Sequence, residues 1–179
     1  MEAAIDGLVK FMATHSAWAF WIAMAFAFAE NLAFLSLAIP STAILVGVGA
    51  LVATGELSFT PIFIGASIGA ILGSTLSWFL GLIYGDYMLN FWPINKRPDL
   101  VQRGKDAFNK WGPFAIILGH FFGPLRPVAF LLCGIALMPF GKFMLFNLAG
   151  SIGWAFVVPK SGEVGGLIIG WVWGLFTGH

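Results

Sequence analysis

Arg126 lies in the run Gly119-His-Phe-Phe-Gly-Pro-Leu-Arg-Pro-Val-Ala-Phe-Leu-Leu-Cys-Gly134, where nearly every other residue is apolar or small. A guanidinium at membrane depth costs several kcal/mol unless an anion meets it, so such a residue marks function by default. Its planar fork of N–H donors grips a phosphate through two parallel bonds, which a lysine ammonium does less well. Pro124 and Pro127 flank it, remove backbone donors and hold the turn open. The other charge set as deeply is Glu30, in Ala-Phe-Ala-Glu-Asn-Leu-Ala-Phe-Leu. Glu30 is a candidate proton carrier, or a structural partner that holds Arg126 in an ion pair. His120 precedes Arg126 by two helical turns or less and is either a switchable charge or a neutral, hydrogen-bonded ring. No His, Cys and carboxylate cluster has metal spacing, no glycine loop opens a helix as a phosphate cradle, and no serine has a base nearby. The expectation is therefore of no enzyme, no metal and no cofactor.

The composition fixes the class. The chain has 179 residues, of which 59% are hydrophobic and 9% charged, against about 25% charged in soluble proteins, so it reads as an integral membrane protein. A net charge of +1 argues against a nucleic-acid partner. The single Cys133, in an apolar run, has no internal disulfide partner and reads as a small buried hydrophobe. Met1 to His15 mixes Glu2, Asp6 and Lys10 with Ile5, Leu8, Val9 and Phe11, a pattern that suits an interfacial amphipathic helix better than a cleaved leader.

The elements that must position these charges are all α-helical, and unequal. A full span needs about 20 apolar residues. Ala17 to Leu37, Pro61 to Tyr84 and Phe140 to Val158 approach or reach that length. Ser41 to Thr54 falls short after Pro40, and Gly112 to Leu137 is broken by Gly123-Pro124 and Pro127. Both read as re-entrant hairpins, because irregular backbone survives at depth only where protein or water encloses it. The two broken segments align at one constant offset, which pairs Pro40 with Pro124, Phe59 with Phe143 and Ser67-Ile68-Gly69 with Ser151-Ile152-Gly153. Paired interrupted segments of this kind point to a transporter substrate site.

The polar stretch Asp86 to Trp111 carries Lys96, Arg97, Arg103, Lys105 and Lys110, five of the nine Lys and Arg, and so belongs in the cytoplasm. Threading from there gives one membrane domain over residues 1–179. Repeat 1 occupies about 17–85, a cytoplasmic loop 86–111, repeat 2 about 112–158, and a last, short transmembrane helix about 163–178. The repeats are inverted relative to each other and both termini are cytoplasmic. Positions 65, 69, 73, 77, 81 and 85 read Gly, Gly, Gly, Ser, Gly, Gly, and 162, 166, 170, 174 and 178 are all Gly. At that spacing each set lies along one helix face and lets backbones approach closely, within the chain or between copies in a homo-oligomer.

Several segments resemble the DedA family of bacterial inner-membrane proteins, also called the SNARE-associated or VTT-domain family. They are Phe28-Ala-Glu-Asn-Leu-Ala-Phe with Ile39-Pro-Ser-Thr, Gly49-Ala-Leu-Val-Ala-Thr-Gly-Glu-Leu-Ser-Phe59, and Gly119-His-Phe-Phe-Gly-Pro-Leu-Arg-Pro. To these are added Gly134-Ile-Ala-Leu-Met-Pro-Phe with Phe143, and Asn147-Leu-Ala-Gly-Ser-Ile-Gly-Trp154. The resemblance implies two inverted hairpin-plus-span repeats and lipid handling, with bacterial members returning undecaprenyl phosphate across the membrane and eukaryotic relatives scrambling phospholipids. Glu30 matches the family's first-hairpin acid and Arg126 the second arginine of its Arg-Phe-x-x-x-x-Arg signature. His120 stands where the first arginine is usual, Ser41 and Thr42 replace the usual pair after Pro40, Ser74 replaces a common aspartate and Ile83 a frequent arginine. Substrate contact is expected at Arg126, Glu30, His120, Pro124, Pro127, Ser41 and Thr42.

The leading expectation is a flippase or scramblase for a phosphorylated lipid, with protons as a candidate coupling ion. A proton-coupled ion or drug antiporter and a lipid-phosphate-modifying enzyme are the alternatives. The threading is tested by introducing a cysteine at Lys96 or Lys105 in a chain whose Cys133 is replaced by alanine. Only reagents that reach the cytoplasm should label either site, and labelling from outside overturns the orientation.

Overall fold

The computed structural model describes residues 18–32, 48–49, 52–53, 57–90, 94–122 and 126–177. Six α-helices are named along these residues: α1 Ala19–Asn31, α2 Phe59–Tyr84, α3 Pro98–Trp111, α4 Phe114–Phe121, α5 Arg126–Ile135 and α6 Phe140–Thr177. Two 3-10 turns, Gly85–Asn90 and Ile94–Lys96, connect α2 to α3, and no strand occurs among the described residues. Ser41, Thr42, Pro124, the N-terminal stretch and most of the first broken segment lie outside the described residues.

α2 contains no charged side chain, and its 26 residues rise about 39 Å, enough to cross the roughly 30 Å hydrocarbon core. Phe59–Asn90 and Phe140–Gly165 are the stretches long and apolar enough to cross a membrane among the described residues. α1 ends at Asn31, where Leu32 turns extended at φ −83° and ψ 130°; the rest of the predicted span, residues 33–37, lies outside the described residues. The helix ends where its buried polar residues, Glu30 and Asn31, are engaged, Asn31 Nδ2 donating to Ala27 O at 2.7 Å.

The largest departure is α6. The sequence predicts one span ending at Val158 and another starting at Val164, but a single helix of 38 residues covers both, with Pro159 inside it. Proline removes one backbone donor, which bends helices more often than it ends them when the flanking residues favour the helix. Here Ser161 Oγ donates to Val158 O at 2.7 Å and Lys160 Nζ meets Glu163 Oε2 at 2.7 Å, so the polar stretch is bonded along the helix. No reversal of the chain separates Val158 from Val164 in this helix. At about 57 Å, α6 exceeds a bilayer core and must tilt or project beyond it.

The predicted cytoplasmic loop is also more ordered than its polarity implies. α3 opens with Pro98 in its first turn and ends at Gly112, whose φ of 55° is the left-handed value that glycine allows. Leu100 and Gly104, one turn apart, are buried, and Leu100 shares an apolar cluster with Val128 and Leu132 of α5. The basic residues face away from that contact. Pro127 likewise starts a helix, as the second residue of α5, where it was expected to interrupt one.

Glycines set the helix crossings. A Cβ added at Gly65, Gly69 or Gly73 of α2 would drive into the backbone carbonyls of Phe20, Met24 and Phe28 of α1. The same holds where Gly81 meets Leu131 O and Gly134 meets Trp78 O, joining α2 to α5. α1 and α2 therefore cross backbone to backbone, with Ala23, Ala27, Ala66 and Ala70 filling the seam. Of the second glycine stripe, the positions from 166 onward have side-chain surroundings outside the described residues. Gly69→Ala should lower stability by about 1–3 kcal/mol through overpacking. Gly141→Ala, where nothing lies within 4 Å, should cost nothing. Thermal unfolding in one detergent checks both, and equal losses would show that the crossing is looser than backbone contact.

Candidate functional site

α1 ends, and α5 begins, on the residues that matter most. Arg126 is the first residue of α5, and its backbone N–H reaches Phe122 O at 3.0 Å, carrying the chain from α4 into α5. Its side chain turns inward. Nη1 lies 2.6 Å from Glu30 Oε1 of α1, with the two side chains 1% and 5% exposed. Nη2 donates to the backbone carbonyl of His120 in α4. The guanidinium carbon sits 4.4 Å over the ring of Trp154 in α6. Four helices thus meet at one cation, held by a carboxylate, a carbonyl dipole and an aromatic face. Arg126 Nε is a buried donor that has no hydrogen-bond partner among the described residues.

His120 belongs to a second, neutral set. It is fully buried, and its Nε2 lies 3.1 Å from Asn147 Oδ1 and 3.4 Å from Ser151 Oγ. With Asn147 Oδ1 as the acceptor, the Nε2 nitrogen carries the proton. The same Oδ1 lies 2.7 Å from Ser74 Oγ of α2 and 3.3 Å from Ser151 Oγ, and Asn147 Nδ2 reaches toward Thr75 Oγ1 at 3.5 Å. The ring is fixed on both sides, at 4.7 Å from Phe130 and against Gly150, where an added Cβ would strike the imidazole. His120 therefore links the two sets: its ring joins the amide and hydroxyls, and its carbonyl holds Arg126.

Glu30, His120 and Arg126, named from the sequence, are brought together by the fold. Pro124, Ser41 and Thr42 lie outside the described residues, and Pro127 is placed only by its backbone in α5. Sequence reasoning used Asn147, Ser151 and Trp154 only for the family-like segment, the repeat alignment and an aromatic belt, and gave them no part in the site, whereas Trp154 is buried against Arg126. A signal was available, since these residues recur at i, i+4 and i+7 and so share one face of a helix that is otherwise apolar there. Ser74 was noted only for the charge it lacks, and the structure makes it a partner of Asn147. Ile83, also noted for a missing charge, is 68% exposed and so is not part of this buried cluster. No group of three or more His, Cys, Asp or Glu placed to hold a metal occurs among the described residues.

The site presents one buried guanidinium whose partner carboxylate comes from a different helix.

Comparison with known proteins gives a consistent picture. The VTT domain model matches residues 39–164. Inner membrane protein YabI of Escherichia coli is 32% identical over 128 residues, covering 72% of this chain and 50% of that protein. An uncharacterized membrane protein of Buchnera aphidicola subsp. Acyrthosiphon pisum is 32% identical over 142 residues, 79% of this chain and 56% of the relative. One from Mycobacterium bovis is 33% identical over 127 residues, 68% and 58% respectively. The chain spans about half the length of these curated relatives. No solved structure matches it. With the domain match running from before the described part of α2 into α6, this chain belongs to the VTT-domain, or DedA, family of membrane proteins.

Proposed function

We propose that the chain is a transporter that moves the headgroup of a phosphorylated lipid, undecaprenyl phosphate in the first instance, between the leaflets of the cytoplasmic membrane. The observation that carries this reading is the Arg126–Glu30 pair, a bidentate-capable cation at the junction of two short helices, closed by a carboxylate on another helix. α4 and α5 rise about 12 and 15 Å, half a bilayer core or less, as the arms of a re-entrant hairpin would. The proposal includes two such hairpins in inverted repeats, with α3 on the cytoplasmic side.

In this reading the empty transporter holds Arg126 on Glu30. A lipid phosphate displaces the carboxylate from Nη1 and, once Nη2 leaves the His120 carbonyl, takes a two-point grip on Nη1 with Nη2 or on Nη2 with the spare Nε donor. Glu30 then binds a proton or stays with other partners, so protons are the natural coupled ion. His120 serves through its carbonyl and its fixed ring more than through a change of charge. The lipid tail remains in the bilayer while the headgroup crosses, and no covalent step is required.

Arg126→Lys keeps the charge and loses the planar fork, so lipid-phosphate binding should fall at least about tenfold. Arg126→Gln and Glu30→Gln each leave a buried charge alone and should cost about 3–5 kcal/mol, whereas the double variant should recover much of that. Thermal stability and headgroup binding, measured on the same variants, separate the roles. A stable Arg126→Lys chain that binds lipid phosphate normally would falsify the anchor and leave Arg126 a structural counter-ion.

A further inference from the structure

Ala115, Leu118 and Gly119 of α4, with its C-cap Phe122, follow helical spacing on a different stripe from His120 and Ile116. That stripe faces α3 across an apolar groove of about 220 Å³. Small residues make its floor: Gly104 and Ala107 from α3, Ala115 and Gly119 from α4. Trp111 and Phe122 stand at its rim, exposed by 51% and 57%. Apolar cavities of about 150 Å³ stay dry and take up a ligand of benzene size, so a groove this large and this apolar suits a hydrocarbon chain better than water.

The mouth of the groove is cationic. Lys110 Nζ lies 5.3 Å from the centre of the Trp111 ring. Asp99 and Asp106, the acids of α3, are engaged by Arg97 at 3.2 Å and by Gln102 at 2.9 Å. Among the described residues Arg103, Lys105 and Lys110 make no ion pair within 4 Å, and with Asp106 standing between Arg103 and Lys110 the exposed side of α3 keeps a net positive charge. An amphipathic helix with free cations outside and an apolar furrow beneath is complementary to a molecule with an anionic head and an apolar chain.

We infer that this groove receives one hydrocarbon chain of an anionic membrane lipid, whose headgroup rests at the Lys110 ammonium. The inference rests on the lipid reading above and adds a second position to it. Phe122 lines the groove and also accepts the backbone N–H of Arg126 at 3.0 Å, so the groove ends where the two short helices join. A lipid seated there waits one helix stripe away from the closed Arg126–Glu30 pair.

The test uses the full chain in phosphatidylcholine vesicles containing either brominated phosphatidylglycerol or brominated phosphatidylcholine. Bromine quenches indole fluorescence on contact, and subtracting the signal of Trp111→Phe isolates Trp111. Phosphatidylglycerol should be preferred about fivefold, the pull of one basic residue on an anionic headgroup. Ala107→Phe, or Leu118→Phe should the first fail to fold, fills the groove and should reduce both quenchers to an equal, low level. Lys110→Gln should lower the preference more than Lys105→Gln does and leave the quenching, and equal losses from the two would overturn the seat at Lys110. Arg126→Lys should preserve the preference, so a failed anchor and a failed groove give different patterns. Equal quenching by both lipids in the native chain overturns the inference, as does a folded groove-filled variant that keeps the preference. Shielding of Trp111 that grows with protein-to-lipid ratio would overturn it too, since a second copy then covers the groove.

Discussion

The contact between Arg126 and Glu30 is the constraint around which the rest of the chain is arranged. Two charges taken from water gain from their attraction only when geometry is close and the remaining donors and acceptors are used. Here the separation is 2.6 Å, and the second guanidinium nitrogen is taken up by the His120 carbonyl and the flat face by Trp154. Those partners come from α1, α4 and α6, while Arg126 itself starts α5. Any displacement of one of the four helices therefore exposes a charge to an apolar surrounding. Such a pair contributes less to net stability than an apolar core of equal volume would.

Close backbone approach makes that geometry attainable. A carboxylate at the end of α1 reaches Arg126 only if α1 lies tight on α2, and the glycines at 65, 69 and 73 remove every side chain that would hold them apart. Gly81 and Gly134 do the same for α2 and α5. Beside the charged pair runs a neutral seam of Ser74, His120, Asn147 and Ser151, which ties α2, α4 and α6 together without adding a charge. The positions where the family commonly carries further charges, Ser74 and His120, are thus filled by groups that satisfy each other. Among the described residues, Arg126–Glu30 is the ion pair in which both side chains are buried.

Much of this was legible in the sequence, and the parts that were not share a cause. Glu30, His120 and Arg126 stand out because polar residues in apolar runs are costly, and the fold does bring them to one point. The class, the α2 span and the glycine face follow from composition and spacing. Asn147 and Ser151 were overlooked because a small neutral polar group is cheap at depth once it is bonded, so it leaves no mark in a hydropathy reading. The break assigned between Val158 and Val164 failed for a related reason. Lys160, Ser161 and Glu163 look like a loop by polarity, yet they bond to one another and to Val158 along the helix, and Pro159 costs α6 a single donor. In α3, the run of basic residues masked the buried pair Leu100 and Gly104, whose one-turn spacing is the real helix signal.

The lock and the substrate handle are, under the proposed reading, the same side chain, and this sets the energetics of opening. A ligand shifts a two-state equilibrium only by the difference between its affinities for the two states. In the closed state Arg126 is 1% exposed and already holds a carboxylate, so an arriving phosphate gains little there. In an opened state the same guanidinium offers its full fork to an anion whose charge, about −1.5 to −2 for a phosphate monoester, exceeds that of the carboxylate it replaces. The differential lies almost wholly with the opened state. A chain built this way needs no separate gate: the anion that binds Arg126 most strongly is the one that opens the site, and Glu30 recloses it when the anion leaves.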